Sequence, residues 1–192
     1  MRVKYRSIFQ ITCLLTLTLL VLGSPYVQVQ ATSSVQMTVS YSIVGGGSPT
    51  APVFHYFLNG VRQKMTLSGV PTVVTVDAGS AWSVTPNPLG GSSSSERWYS
   101  TQPLKGTALA TTVQFVFQHQ YHLIMRLNPP FAGFVTPGSG WYDPGAKVTI
   151  TATGDHYDFS SWTGSGSGSY TGTKNPARIT MNSAITETAN FT

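Results

Sequence analysis

After roughly its first thirty positions the chain alternates apolar and polar residues with a period of two. Val35, Met37, Val39, Tyr41 and Ile43 share one parity, and Gln36, Thr38, Ser40 and Ser42 hold the other, which predicts a strand with one buried side. Gly45-Gly46-Gly47-Ser48-Pro49 ends it, because three glycines are costly to order and proline removes a ladder donor. Residues 53–58 and 61–67 then flank Asn59-Gly60, a dipeptide that accepts positive φ at both positions and predicts a two-residue hairpin. Further strands are expected over 72–76 and 82–85, with a loop over 87–95. The longest alternation sets Val113, Phe115, Phe117, His119, Tyr121, Leu123, Met125 and Leu127 against Gln114, Gln118, Gln120, His122 and Arg126. Fully extended, residues 113–127 would reach about 50 Å at about 3.3 Å each, more than one ordinary strand. The last strand of one module is therefore expected to run into the first strand of the next.

The second half is organised by residues 138–164. Asp143-Pro144-Gly145 puts proline and glycine where a type II turn wants them. Val148, Ile150 and Ala152 then alternate with Lys147, Thr149 and Thr151, and Trp162 follows Asp143 by 19 residues. Asp77-Ala78-Gly79 repeats the design, with Trp98 following Asp77 by 21 residues. A short strand is expected over 131–136, a turn over 137–140, and a Gly/Ser loop carrying Tyr170 over 164–172. A closing hairpin is expected to turn at 182–184, with Ile179 and Met181 on one arm and Ile185, Ala189 and Phe191 on the other. Glu187 shares the apolar face of that last arm, so it must reach the sheet rim or find a cation. No apolar pattern of helical period persists for ten residues. The expected fold is all-β, two small tandem antiparallel modules at 32–118 and 119–192 joined by a near-continuous strand.

Composition changes this picture mainly at the start. Arg2, Lys4 and Arg6 precede an apolar run from Ile8 to Leu22, and 29–31 reads Val-Gln-Ala. The run is short of the roughly 20 residues that cross a bilayer, so 1–31 is expected to be a cleaved signal peptide rather than an anchor. The formal charge of +5 then falls to +2, since eight Lys and Arg face six Asp and Glu beyond residue 31. Those eight are scattered along the sequence, which argues against a nucleic-acid partner. The single cysteine, Cys13, lies in the leader, so burial and sheet hydrogen bonds must hold the rest together.

Tyr121-His122-Leu123, Pro137 before Gly140-Trp141-Tyr142, Gly145 before Val148-Thr149-Ile150-Thr151-Ala152, Phe159-Ser160-Ser161-Trp162-Thr163-Gly164, and Ala189-Asn190-Phe191 form a spaced set. Over residues 121–191 this set resembles the divergent internalin-type B-repeat family of prokaryotic surface and secreted proteins. Glu187 stands where the family usually has an apolar residue. The first module resembles it only through Asp77, Gly79 and Trp98. The resemblance implies a secreted or cell-surface spacer or adhesion element with no catalytic residue to carry over.

The residues themselves offer several chemistries. Asp77 and Asp143 in their turns suggest a carboxylate dyad, but Ala78 and Pro144 follow them where that motif needs a hydroxyl, and turn aspartates are far commoner. No Gly-x-Ser-x-Gly elbow exists for a serine nucleophile. His119 and His122 differ in parity and so point to opposite faces, which argues against joint metal ligation; His119 is expected to be a packed or rim histidine at the module junction. Asp155 and Asp158 lack a calcium-loop pattern. No cofactor or metal is expected. Carbohydrate binding is the alternative function. Trp98 and Trp162, at matched places, are expected to be core anchors, while Trp141, Tyr142 and Tyr170, beside glycine-rich loops, are the aromatics expected to be exposed for contact with a ligand. The expected partners are other envelope or surface proteins, or glycans, with no nucleic acid and no membrane after signal cleavage.

Overall fold

The computed structural model describes residues 33–192, so the leader expected at 1–31 lies outside the described residues. The described chain is all-β. Its first strand, β1 (Ser34–Val44), covers the expected alternation and buries Met37 and Val39. β2 (Val53–Leu58) and β3 (Val61–Thr66) pair in the expected hairpin, with Asn59 and Gly60 at φ of 53° and 73°. There follow β4 (Thr72–Asp77), β5 (Ala81–Thr85), β6 (Glu96–Tyr99) and β7 (Lys105–Thr107). The long alternation is a single strand, β8 (Thr111–Asn128). After it come β9 (Gly133–Thr136), β10 (Gly140–Tyr142), β11 (Lys147–Gly154), β12 (Phe159–Ser165), β13 (Ala177–Thr180) and β14 (Ile185–Phe191).

One large sheet runs β12-β14-β8-β1-β4, with β6 and β10 also paired to β8. Register fixes which edge of β8 each neighbour takes. Gln118 pairs with both Val44 and Tyr99, Tyr121 with both Glu96 and Tyr142, and Leu123 with both Gly140 and Ile185. A strand has two edges, so β6 and β14 follow one another along the first, and β1 and β10 along the second. β1 and β14 both run parallel to β8, while the four-stranded sheet β3-β2-β5-β7 and the three-stranded sheet β13-β11-β9 are antiparallel throughout.

Two hydrophobic cores result. The first packs Met37, Val76, Trp98, Phe115 and Phe117 of the large sheet against Phe54 and Val84 of the four-stranded one. The second packs Leu123, Trp162, Ile185 and Ala189 of the large sheet against Ile150 and Ile179 of the three-stranded one. The odd-numbered side of β8 feeds both, as its alternation requires. Trp98 and Trp162 are 6% and 0% exposed, the anchors expected from their matched spacing. Trp98 stands opposite His119 across β6 and β8, as Trp162 stands opposite Ala189 across β12 and β14.

Two expectations need correction. Residues 177–191 do not close as a hairpin. β13 joins β11 in the three-stranded sheet and β14 joins β12 and β8 in the large one, so the turn at 182–184 crosses between layers. Apolar faces on both arms look alike in sequence whether they share a sheet or face each other across a core. Glu187 neither reaches the rim nor meets a cation. It is fully buried, one carboxylate oxygen accepts the Tyr170 N–H at 2.7 Å, and the other has no partner. The space it fills lies over Gly164, where an added Cβ would come within 2.7 Å of the carboxylate.

Both aspartate turns close as expected. Ser80 N–H donates to the Asp77 carbonyl and Ala146 N–H to the Asp143 carbonyl, each at 3.1 Å, with Gly79 and Gly145 at φ of 74° and 77°. The Asp77 carboxylate accepts from Asn59 N–H and Gly60 N–H, both at 2.8 Å, so it caps the hairpin turn from beneath. Asp77→Ala is expected to lower the unfolding free energy by about 2 kcal/mol through loss of these charge-assisted bonds. A urea titration followed by tryptophan fluorescence reads it, and an unchanged midpoint would show that the hairpin closes unaided.

Candidate functional site

The even-numbered face of β8 looks away from both cores, and at its middle the two flanking edges bring side chains together over it. From β6 come Arg97 and Tyr99, whose alternation with buried Trp98 turns them outward. From β10 comes Trp141, directly opposite His122. The Arg97 guanidinium lies 4.5 Å from the centre of the Tyr99 ring and 4.4 Å from that of Trp141. Trp141 in turn stacks on the His122 imidazole at 4.6 Å and 15°. Tyr99, Arg97, Trp141 and His122 therefore touch in sequence, four flat groups in one connected run.

Amides fix the run in place. Arg97 Nε and Nη2 both donate to Gln120 Oε1, at 2.9 and 2.8 Å, and Gln120 Nε2 donates to Asp143 Oδ1 at 3.3 Å. His122 Nδ1 lies 3.1 Å from the Ser94 carbonyl oxygen, which makes that nitrogen the donor. Partial burial among the rings pulls the Arg97 pKa below its ordinary value, opposed by the Tyr99 hydroxyl. A guanidinium held between aromatic faces gains cation–π attraction and keeps its remaining N–H groups for a ligand.

Of the three aromatics expected from sequence, only Trp141 joins this face. Tyr142 alternates to the other side of β10 and packs against the second core. Tyr170 also packs there, its N–H on Glu187 and its hydroxyl accepting the Lys174 N–H at 3.0 Å. All three are half-buried. Arg97 and Tyr99 were the residues sequence reasoning passed over. Their signal was present, since they flank an expected core tryptophan at the opposite parity.

The remaining candidates are dispersed. Asp77 holds the hairpin turn and Asp143 meets Gln120. His119 and His122 lie on opposite faces as expected, His119 buried and stacked on Trp98 at 4.8 Å. Asp155 pairs with exposed His156 at 3.5 Å, and Asp158 is bound through its backbone to Thr192. Among the described residues no group of three or more His, Cys, Asp or Glu is placed to hold a metal ion.

Residues 125–192 match the family described as the divergent InlB B-repeat domain, the one that residues 121–191 resemble in sequence. Among solved structures the chain is similar to the major pilin protein (T-13) from Streptococcus pyogenes serotype GAS131465. The identity is 6% over 84% of this chain and 98% of that one, with a TM-score of 0.26, a likeness too loose to carry an argument. No curated protein matches the chain.

Proposed function

We propose that this is a secreted or cell-surface, non-enzymatic β-repeat protein that serves as a structural spacer or adhesion element. The observation that carries the reading is the B-repeat match over residues 125–192. The strand arrangement supports it physically. Because β1 runs parallel to β8 and β8 parallel to β14, a pull between Ser34 and Phe191 loads both ladders along the strands. Their hydrogen bonds lie across that direction and must fail together rather than one by one, which suits a segment held under tension. Antibody raised to the purified chain is expected to label intact producing cells. Labelling that requires permeabilisation would sink the surface assignment.

Carbohydrate binding is the second reading, favoured by the Tyr99–Arg97–Trp141–His122 run with Gln120 at its foot. Rings supply apolar faces for sugar C–H groups, while guanidinium and amides supply directed donors. A glycan array should then show saturable binding that falls at least about tenfold in Trp141→Ala, a typical loss for a truncated aromatic anchor. An array with no saturable signal removes this reading and leaves the first in place.

A further inference from the structure

The outer face of the four-stranded sheet gathers charge that the sequence scatters. Register sets Lys64 opposite His55, His55 opposite Ser83, and Ser83 opposite Lys105. Phe54 and Val84, at the alternate parity, are buried in the first core, so Lys64, His55, Ser83 and Lys105 form one row across the outer side. At about 4.8 Å between strands the row is about 14 Å long. Arg62, opposite Phe57, stands in the next row. His55, Arg62, Gln63 and Lys64 line a groove of about 480 Å³, and a second hollow beside it is walled by Arg62, Trp82 and Lys105.

Arg62, Lys64 and Lys105 have no carboxylate partner among the described residues, whose two ion pairs are His119 with Glu96 and His156 with Asp155. Asp77 lies below the tip of the same hairpin, buried and bonded to the turn amides. The excess of positive charge is felt locally. Burial first, then the Arg62 and Lys64 charges, hold the His55 imidazole below its ordinary range. Ser83 stands between His55 and Lys105 in the row, and Thr85, one row further along, has its Oγ1 bonded to His55 Nε2 at 3.0 Å.

We propose that this face binds an acidic polysaccharide, laid across the sheet so that its anionic groups meet Lys64, Lys105 and Arg62 and its hydroxyls meet Ser83 and Thr85. A row of cations about 14 Å apart with Ser83 between them and Thr85 alongside matches a polymer whose charges are separated by neutral, hydroxyl-bearing stretches. It matches less well a nucleic acid, which carries a phosphate at every residue and presents bases that need stacking partners. The site stands on a different sheet from the Trp141 face, so either can fail without the other.

The test uses polygalacturonate and heparin as carboxylate and sulfate polymers, with neutral dextran, a single-stranded DNA oligonucleotide and phosphatidylglycerol vesicles as competitors. The chain is expected to bind at least one acidic polymer at low salt. Affinity should drop by about tenfold or more in Lys64→Gln/Lys105→Gln, as expected when charge contacts dominate, and fall with added salt. Lys147→Gln, on the three-stranded sheet and remote from the row, should leave it unchanged. Because Lys64 and Lys105 are exposed, the double variant should melt with the parent, and a melting curve run alongside separates lost binding from lost fold. Equal retention by dextran, unchanged binding in the double variant, or preference for the oligonucleotide or the vesicles would overturn the proposal.

Discussion

Trp98→Ala is expected to cost about 3–5 kcal/mol of unfolding free energy, the range for emptying a buried aromatic site. The indole does more than fill the end of the first core. Its Nε1–H donates to the Gly46 carbonyl at 2.9 Å and its face stacks on His119. His119 Nδ1 in turn lies 2.9 Å from the Gly45 carbonyl and its Nε2 lies 2.6 Å from Glu96 Oε1. A carbonyl cannot donate, so Nδ1 carries a proton. One tryptophan thus ties the glycine loop after β1 to the middle of β8. Gly47 has to be glycine for the same reason: at φ of 89° an added Cβ would sit 2.4 Å from the indole ring. Trp98→Phe should recover part of the loss by refilling the site without its donor. Denaturant titration reads the series, and a loss under about 1 kcal/mol for the alanine variant, the effect of an ordinary surface change, would show that the indole is dispensable.

Glu187→Gln is expected to stabilise the protein at neutral pH by about 1–3 kcal/mol, because an amide of the same shape fills the site without a charge to desolvate. Burial raises the Glu187 pKa above its ordinary 4.5, and the Tyr170 N–H only partly offsets this. A raised carboxyl keeps its proton in the folded chain at pH values where the unfolded chain has lost it. Its contribution is therefore fully present in acid and declines as pH climbs from the ordinary value through the folded one. Unfolding midpoints measured across that window should slope downward for the parent and flatten for the glutamine variant. If both slopes coincide, Glu187 is ionised at no cost and the burial argument fails.

Strand by strand, much of this was legible. β1, the Asn59-Gly60 hairpin, both aspartate turns, the long β8 and the two buried indoles all follow from period-two alternation and turn chemistry, which act over a few residues. β6, β7 and β10 escaped notice because three or four residues give alternation too little length to register. Parallel pairing of β1 and β14 with β8 was also hidden, because alternation says which side of a strand is buried and nothing about its neighbour. The same blindness turned β13 and β14 into a hairpin. For the outer faces the lesson is sharper. Arg62, Lys64 and Lys105 look dispersed until register aligns them, and Arg97 meets Trp141 only because β6 and β10 grip opposite edges of one strand.

The parallel neighbours of β8 also set the order in which this protein can acquire its structure. His119 and Gly45, which touch in the finished fold, are 74 residues apart. An emerging or translocating chain therefore presents β1 long before the strand that completes its ladder has arrived. Distant pairings of this kind are slow to form and leave sticky edges bare meanwhile. Until β8 has arrived β1 can pair only with β4, and the rest of the large sheet waits on residues 111–128.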